Sequence, residues 1–120
     1  MCDFSGMIKP EITKKRPVVI ISPNNLVRKD LCTVIPLSTT APCPVEKYHY
    51  KLPQNPLKNE AETWAKCDLV MSVSVERLDR IKVGRGNYFV ANISMDQVRR
   101  MRRLASYSFG IDISLDSDII

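Results

Sequence analysis

Two short apolar runs constrain this chain more than any other feature. Pro17-Val18-Val19-Ile20-Ile21-Ser22 and Leu31-Cys32-Thr33-Val34-Ile35-Pro36-Leu37-Ser38 are rich in β-branched residues and too short for ordinary helices. Branching at Cβ costs rotamer freedom in a helix and suits a pleated sheet. A continuous apolar run, without alternation, reads as a strand covered on both faces. The first run ends in the turn formers Ser22-Pro23-Asn24-Asn25, and a polar link through Arg28-Lys29-Asp30 leads to the second. The two strands are expected to pair.

Further strands follow. Lys47-Tyr48-His49-Tyr50-Lys51-Leu52 alternates strictly, with Tyr48, Tyr50 and Leu52 on one face and Lys47, His49 and Lys51 on the other. After a loop rich in Pro and Asn over 53–60, a fourth strand is expected over 63–71, with Trp64, Lys66, Asp68 and Val70 sharing a face. A fifth, over 88–93, follows the turn Gly84-Arg85-Gly86-Asn87. Ser94 with Gln97 three residues on is a capping-box pattern, and Val98, Met101, Leu104 and Ala105 form the apolar stripe of the helix it opens. Short strands, a late helix and no strand–helix alternation predict a mainly β protein, a small antiparallel barrel with a C-terminal helix. One domain over residues 1–109 is expected, followed by an acidic tail, 110–120, with Asp112, Asp116 and Asp118 and no cation.

Apolar residues make up 44% of the chain and charged residues 26%, which excludes global disorder. No stretch reaches the roughly 20 apolar residues that span a bilayer. The first residues lack the basic-then-apolar layout of a secretory signal, so a cytoplasmic location is expected. Cys2, Cys32, Cys43 and Cys67 are widely and irregularly spaced and read as reduced thiols. With His49 the sole histidine and no two cysteines at ligand spacing, neither a metal nor another cofactor is expected. The net charge is +5: residues 76–109 carry +5 and the last eleven −3. A basic body suits a polyanion, most simply nucleic acid; a solvated charged surface is the plainer alternative.

Three local groups carry chemistry. Pro17 fixes the backbone beside Arg16, so that this guanidinium stands at a sheet edge, where it can grip a phosphate or pair with Glu11. Ser38-Thr39-Thr40 places three hydroxyls after an apolar strand, where they can donate to a phosphate or satisfy local backbone. Lys66 and Asp68, about 6–7 Å apart along a strand, can flank one phosphate or form a salt bridge.

Lys15-Arg16-Pro17-Val18-Val19-Ile20-Ile21-Ser22-Pro23 resembles the signature of PemK/MazF-family toxins of type II toxin–antitoxin systems. Leu31 to Thr39, Tyr48 to Leu52, and Ala65-Lys66-Cys67-Asp68 with the later Arg77-Leu78 are similar to the family's next core strands, in order, over residues 2–107. The resemblance implies an SH3-like barrel, a homodimer and an endoribonuclease, or mRNA interferase, neutralised by a cognate antitoxin. It also implies metal-independent cleavage of single-stranded RNA at a short motif through the RNA's own 2′-hydroxyl, leaving a 2′,3′-cyclic phosphate and a 5′-hydroxyl. By position Arg16 matches the family's active-site arginine, Ser38 its strand-end hydroxyl and Glu11 a loop glutamate. Lys66 and Asp68 match an Arg-x-Asp pair.

The sequence departs from the family in several places. The Gly-Asp/Glu motif that opens the family's first strand is missing before Met1, Pro10 stands where some members carry histidine, and Lys66 replaces arginine. Glu11 or Asp68 is the expected base, Arg16 and Lys66 stabilise the phosphorane, and Ser38 donates a supporting bond. Lys14, Lys15, Thr39 and His49 are expected to bind RNA. Tyr48 and Trp64 are the aromatics considered for base stacking, Trp64 being assigned rather to the core. The alternative is a non-catalytic RNA- or protein-binding module on the same scaffold, either a CcdB-like gyrase inhibitor or a degenerate PemK.

Overall fold

The computed structural model describes residues 1–23, 30–56, 61–89 and 91–112. Its strands are β1 (Cys2–Asp3), β2 (Lys15–Arg16), β3 (Val18–Ile20), β4 (Leu31–Ser38), β5 (His49–Lys51), β6 (Trp64–Lys66), β7 (Met71–Ser74), β8 (Ile81–Gly84) and β9 (Asn87–Phe89). They precede the helix α1 (Met95–Ser108). The architecture is therefore mainly β with a C-terminal helix, the class that the strand-and-helix pattern predicts.

β4 organises the sheet. One edge pairs with β3, Val18 opposite Pro36 and Ile20 opposite Val34. The other edge is shared: β7 takes its first half, Leu31 opposite Ser74, and β6 its end, Leu37 opposite Ala65 and Ser38 opposite Trp64. β5 lies outside β6, with His49 opposite Lys66 and Lys51 opposite Trp64. All these pairings are antiparallel. β4 is the strand covered on both faces. Ile35 and Leu37 join a core with Val19, Ile21, Leu52, Ala65 and Cys67, closed by Val98, Met101, Leu104 and Ala105 of α1. Val34 faces the other way, into a cluster with Cys2, Phe4 and Val73. Each fully buried apolar side chain contributes about 1.5–3 kcal/mol.

Three expectations are corrected. The run over 17–22 is not covered on both faces: β3 is an edge strand and Ile20 is 50% exposed. A continuous apolar run here marks a strand with one solvent-facing edge, not a central one. The expected strand over 63–71 is two strands. Between Leu37↔Ala65 and Val34↔Met71, β4 retreats three residues while the partner advances six, so three extra residues must be absorbed. A turn at Cys67–Asp68 takes them up, closed by the Leu69 amide donating to the Lys66 carbonyl at 3.0 Å. Asp68 is thus no strand residue and does not share a pleat with Lys66. The strand expected over 88–93 is β9, ending at Phe89 and paired with β8; Ile93 lies outside it, and Val90 lies outside the described residues.

The helix follows its sequence signals closely. The Ser94 hydroxyl accepts from the Gln97 amide and the Gln97 side chain accepts from the Ser94 amide, completing the capping box. All four residues of the expected stripe are buried. Arg102, on the flank of the stripe, donates through Nε to the Ile21 carbonyl at 2.6 Å and ties α1 to the end of β3.

Candidate nucleic-acid interface

Alternation along β4 decides where a ligand can lie. Cys32, Val34 and Pro36 point to the face of the second apolar cluster, and the next residue in that row is Ser38, where the apolar cover ends. Opposite residues share a face in an antiparallel pair. Ser38, Trp64 and Lys51 therefore form one row across β4, β6 and β5, and Lys66 and His49 a second row beside it. Strands about 4.8 Å apart put Ser38 and Lys51 roughly 10 Å apart.

Arg16 joins this face from the other edge. The Leu37 amide donates to the Pro17 carbonyl at 2.9 Å, extending the Val18↔Pro36 register so that Arg16 comes opposite Ser38. Pro17 has no amide and ends the pairing on that side, while β1 holds Arg16 from its other edge through Cys2. Arg16 is exposed, and among the described residues no ion pair joins it to Glu11. The guanidinium is open to a ligand.

The other side chains of the face have defined partners. The Ser38 hydroxyl accepts the Thr40 amide at 3.1 Å and makes only a long contact to the Thr40 carbonyl, 3.4 Å. Its proton can turn to a better acceptor without breaking the turn. His49 Nδ1 accepts the Glu46 amide at 2.9 Å, which puts the ring proton on Nε2 as a donor. Lys51 is paired with Glu62 at 2.8 Å. Trp64 is half-buried on this same face, with its Nε1 buried and without a hydrogen-bond partner among the described residues, and it belongs to neither cluster; Ala65 beside it takes the core position. Its neighbours Ser38 and Lys51 make the indole the floor of the row.

Not every expected site residue meets here. Glu11 is exposed, and its Oε1 caps its own turn by accepting the Ile8 amide at 3.0 Å. Lys14 is exposed just before β2, and Thr39 just after β4. Lys15 alternates with Arg16 and points away, opposite Asp3, into a cavity of about 510 Å³ shared with Arg77, Arg80 and Tyr88. Asp68 sits near Tyr48: burial raises the Tyr48 hydroxyl above its ordinary pKa, and the carboxylates of Asp68 and Glu46 add to the rise. Burial pushes the Cys67 thiol up to about 12, with Asp68 contributing, so Cys67 stays a neutral core residue. Lys51 and Trp64 are the residues the sequence reading left out of the site. The alternation of 47–52 was the signal for the first; the second needed the register.

The structure thus offers a face where an edge arginine, a strand-end serine, an imidazole and two lysines surround an indole. A family model of the PemK-like, MazF-like toxins of type II toxin–antitoxin systems matches residues 1–105. The chain belongs to this family. It is also 36% identical over 90 residues to an uncharacterised protein, YifN, of Escherichia coli (strain K12), across 69% of this chain and 59% of that protein. The chain therefore spans about three-fifths of the length of that relative. Among the described residues, no helix is long and apolar enough to cross a membrane.

Proposed function

We propose that this toxin-family protein is an endoribonuclease that cuts single-stranded RNA at a short motif and is neutralised by a cognate antitoxin. The observation that supports the reading is that the strand register brings Arg16, Ser38, Lys66 and His49, from four strands, to one face beside Trp64. Cleavage by the RNA's own 2′-hydroxyl needs a base, cations around the phosphorane and a donor for the leaving 5′-oxygen. Arg16 grips two phosphate oxygens through its planar fork, and Lys66 adds a point charge from β6. Ser38 turns its hydroxyl proton to the phosphate, and His49 offers Nε2–H.

For the base, Asp68 or Glu11 is the candidate: Asp68 stands in the turn just after Lys66, and Glu11 has one carboxylate oxygen committed to its own turn. Unpaired bases stack on aromatic side chains, and Trp64 is the ring placed to receive one. Lys14 and Thr39 border the path; Lys15, turned to the other side, is set aside as a direct contact. The working unit is residues 1–109, acting in the cytoplasm as a homodimer that presents two such faces, each able to take an acidic antitoxin segment.

A chimeric oligonucleotide tests the chemistry. Replacing the single ribose at the cut position by 2′-deoxyribose should abolish cleavage while leaving binding in place. Cleavage that persists without that hydroxyl would rule out transesterification.

A further inference from the structure

We propose that the seam between β5 and α1 is a second RNA-contact surface, holding phosphates that flank the segment on the main face. It shares the single-stranded RNA substrate of the reading above, not its chemistry. Two cations at this seam are held reciprocally by aromatic rings. The guanidinium of Arg100, from the helix, lies 5.7 Å from the ring centre of Tyr50 on β5. The ammonium of Lys47, from the strand side, lies 4.8 Å from the ring centre of Tyr107 on the helix. Both rings are half-buried against the core, while Lys47 and Arg100 are exposed. Long side chains parked on fixed rings have given up rotamer freedom before any ligand arrives, which lowers the cost of ordering them on binding.

Among the described residues neither cation is neutralised. Among the described residues no ion pair joins Lys47 to its neighbour Glu46, nor Arg100 to any carboxylate, whereas Arg99 beside it is paired with Asp96 at 3.1 Å. Arg103, exposed, stands between Arg100 and Tyr107 on the same helix stripe and extends the charge along α1. An exposed cation–aromatic contact contributes only about 0.5–1 kcal/mol to folding. A strand of phosphates accounts for Lys47 and Arg100, which have no ion pair among the described residues, better than fold stability does.

Continuity gives the direction. β5 is the last strand of its sheet, and among the described residues no strand pairs with its outer edge. Lys47 leads directly into His49 and Lys51 on the catalytic face, so basic side chains run from Arg16 and Ser38 across the sheet and round the β5 edge to Arg100. RNA longer than the cleaved motif would follow that path.

The test is the salt dependence of binding for non-cleavable 2′-O-methyl RNA of two lengths, about 6 and about 20 nucleotides, read by fluorescence anisotropy. Each phosphate contact to a single strand contributes about −0.7 to the slope of log affinity against log salt. Lys47→Gln with Arg100→Gln should flatten the slope for the long RNA by about 1.4 and leave the short one unchanged. Lys47→Arg with Arg100→Lys should restore it. Should the double variant melt early, Lys47→Gln alone should flatten the long-RNA slope by about 0.7. An unchanged long-RNA slope, or equal loss at both lengths, overturns the proposal. So does a variant that keeps RNA binding but loses an acidic peptide, which would make the seam a protein-docking surface. Salt-steep binding with no cleavage of ordinary RNA would sink the nuclease reading and leave this surface standing. Cleavage with an unaltered slope in the variants would do the reverse.

Discussion

Arg16 and Arg77 are both cationic and both near β1, and the proposed function expects opposite roles for them. Arg77 Nη1 donates to the Asp3 carbonyl at 2.9 Å and to the Ser5 carbonyl at 3.0 Å, tying the first strand to a residue more than seventy positions away. A hydrogen bond to a charged group contributes about 1.5–3 kcal/mol, and partial exposure of this pair argues for the low end in total. Arg77→Ala should therefore cost about 1.5–3 kcal/mol. With an unfolding entropy of about 2 cal/mol/K per residue, a chain of 120 residues loses about 4 °C of melting temperature per kcal/mol, or about 6–12 °C here. Arg16→Ala removes an exposed side chain with no ion pair among the described residues and should shift melting by under about 2 °C. Activity reverses the order: below its melting range Arg77→Ala still cuts RNA, while Arg16→Ala loses two to three decades of rate, about what one phosphorane-stabilising donor supplies. Differential scanning calorimetry and a gel-based cleavage assay on the same preparations read both quantities. An Arg16→Ala protein that melts as early as Arg77→Ala, or that cuts at the wild-type rate, would refute the division of labour.

The carboxylates should separate in the same assay: of Asp68→Asn and Glu11→Gln, the variant that removes the base loses about two or more decades of rate and the other much less, and equal small losses would leave neither as the base. Because the Cys67 thiol titrates near 12 in the folded chain and near 9 when unfolded, its contribution to stability is complete below pH 9 and is lost as pH rises from 9 towards 12. Cys67→Ala should accordingly show a shallower decline of melting temperature over that window than the wild type, and parallel curves would contradict the burial argument. Exposed Cys43 should alkylate in the native protein at neutral pH while buried Cys67 does not, as mass spectrometry of the peptides would show; equal labelling would mean that the core opens. Light scattering at micromolar concentration should give the mass of a homodimer, and a monomer would remove the two-faced arrangement.

The helix was legible to the residue because its signals are local. A capping box and a stripe at helical spacing need nothing from the rest of the chain, and Ser94, Gln97, Val98 and Met101 all behave as their spacing predicts. The strands β3 to β6 were legible in sequence, but the short β1 and β2, the separate β7 and the order across the sheet were not. Nothing local to Ala65-Lys66-Cys67-Asp68 announces that two neighbouring segments pair with β4 in registers three residues apart, and that mismatch alone expels Asp68 from the strand. The site followed the same rule. Arg16 and Ser38 were legible as candidates because Pro17 and the end of an apolar run mark them in sequence. The face that Trp64 takes was not legible, because only its register with Ser38 and Lys51 sets it. Lys15 points away from Arg16 for the plainest reason: the two are neighbours, and a strand sends neighbours to opposite sides.

The most direct test of the account is to incubate the purified protein with a long, mixed-sequence single-stranded RNA in EDTA and map the product ends. The account predicts cuts at one short recurring motif, each leaving a 5′-hydroxyl and a 2′,3′-cyclic phosphate, and no cuts by Arg16→Ala. RNA that stays intact at protein concentrations that saturate binding, or products that carry 5′-phosphates, would contradict it.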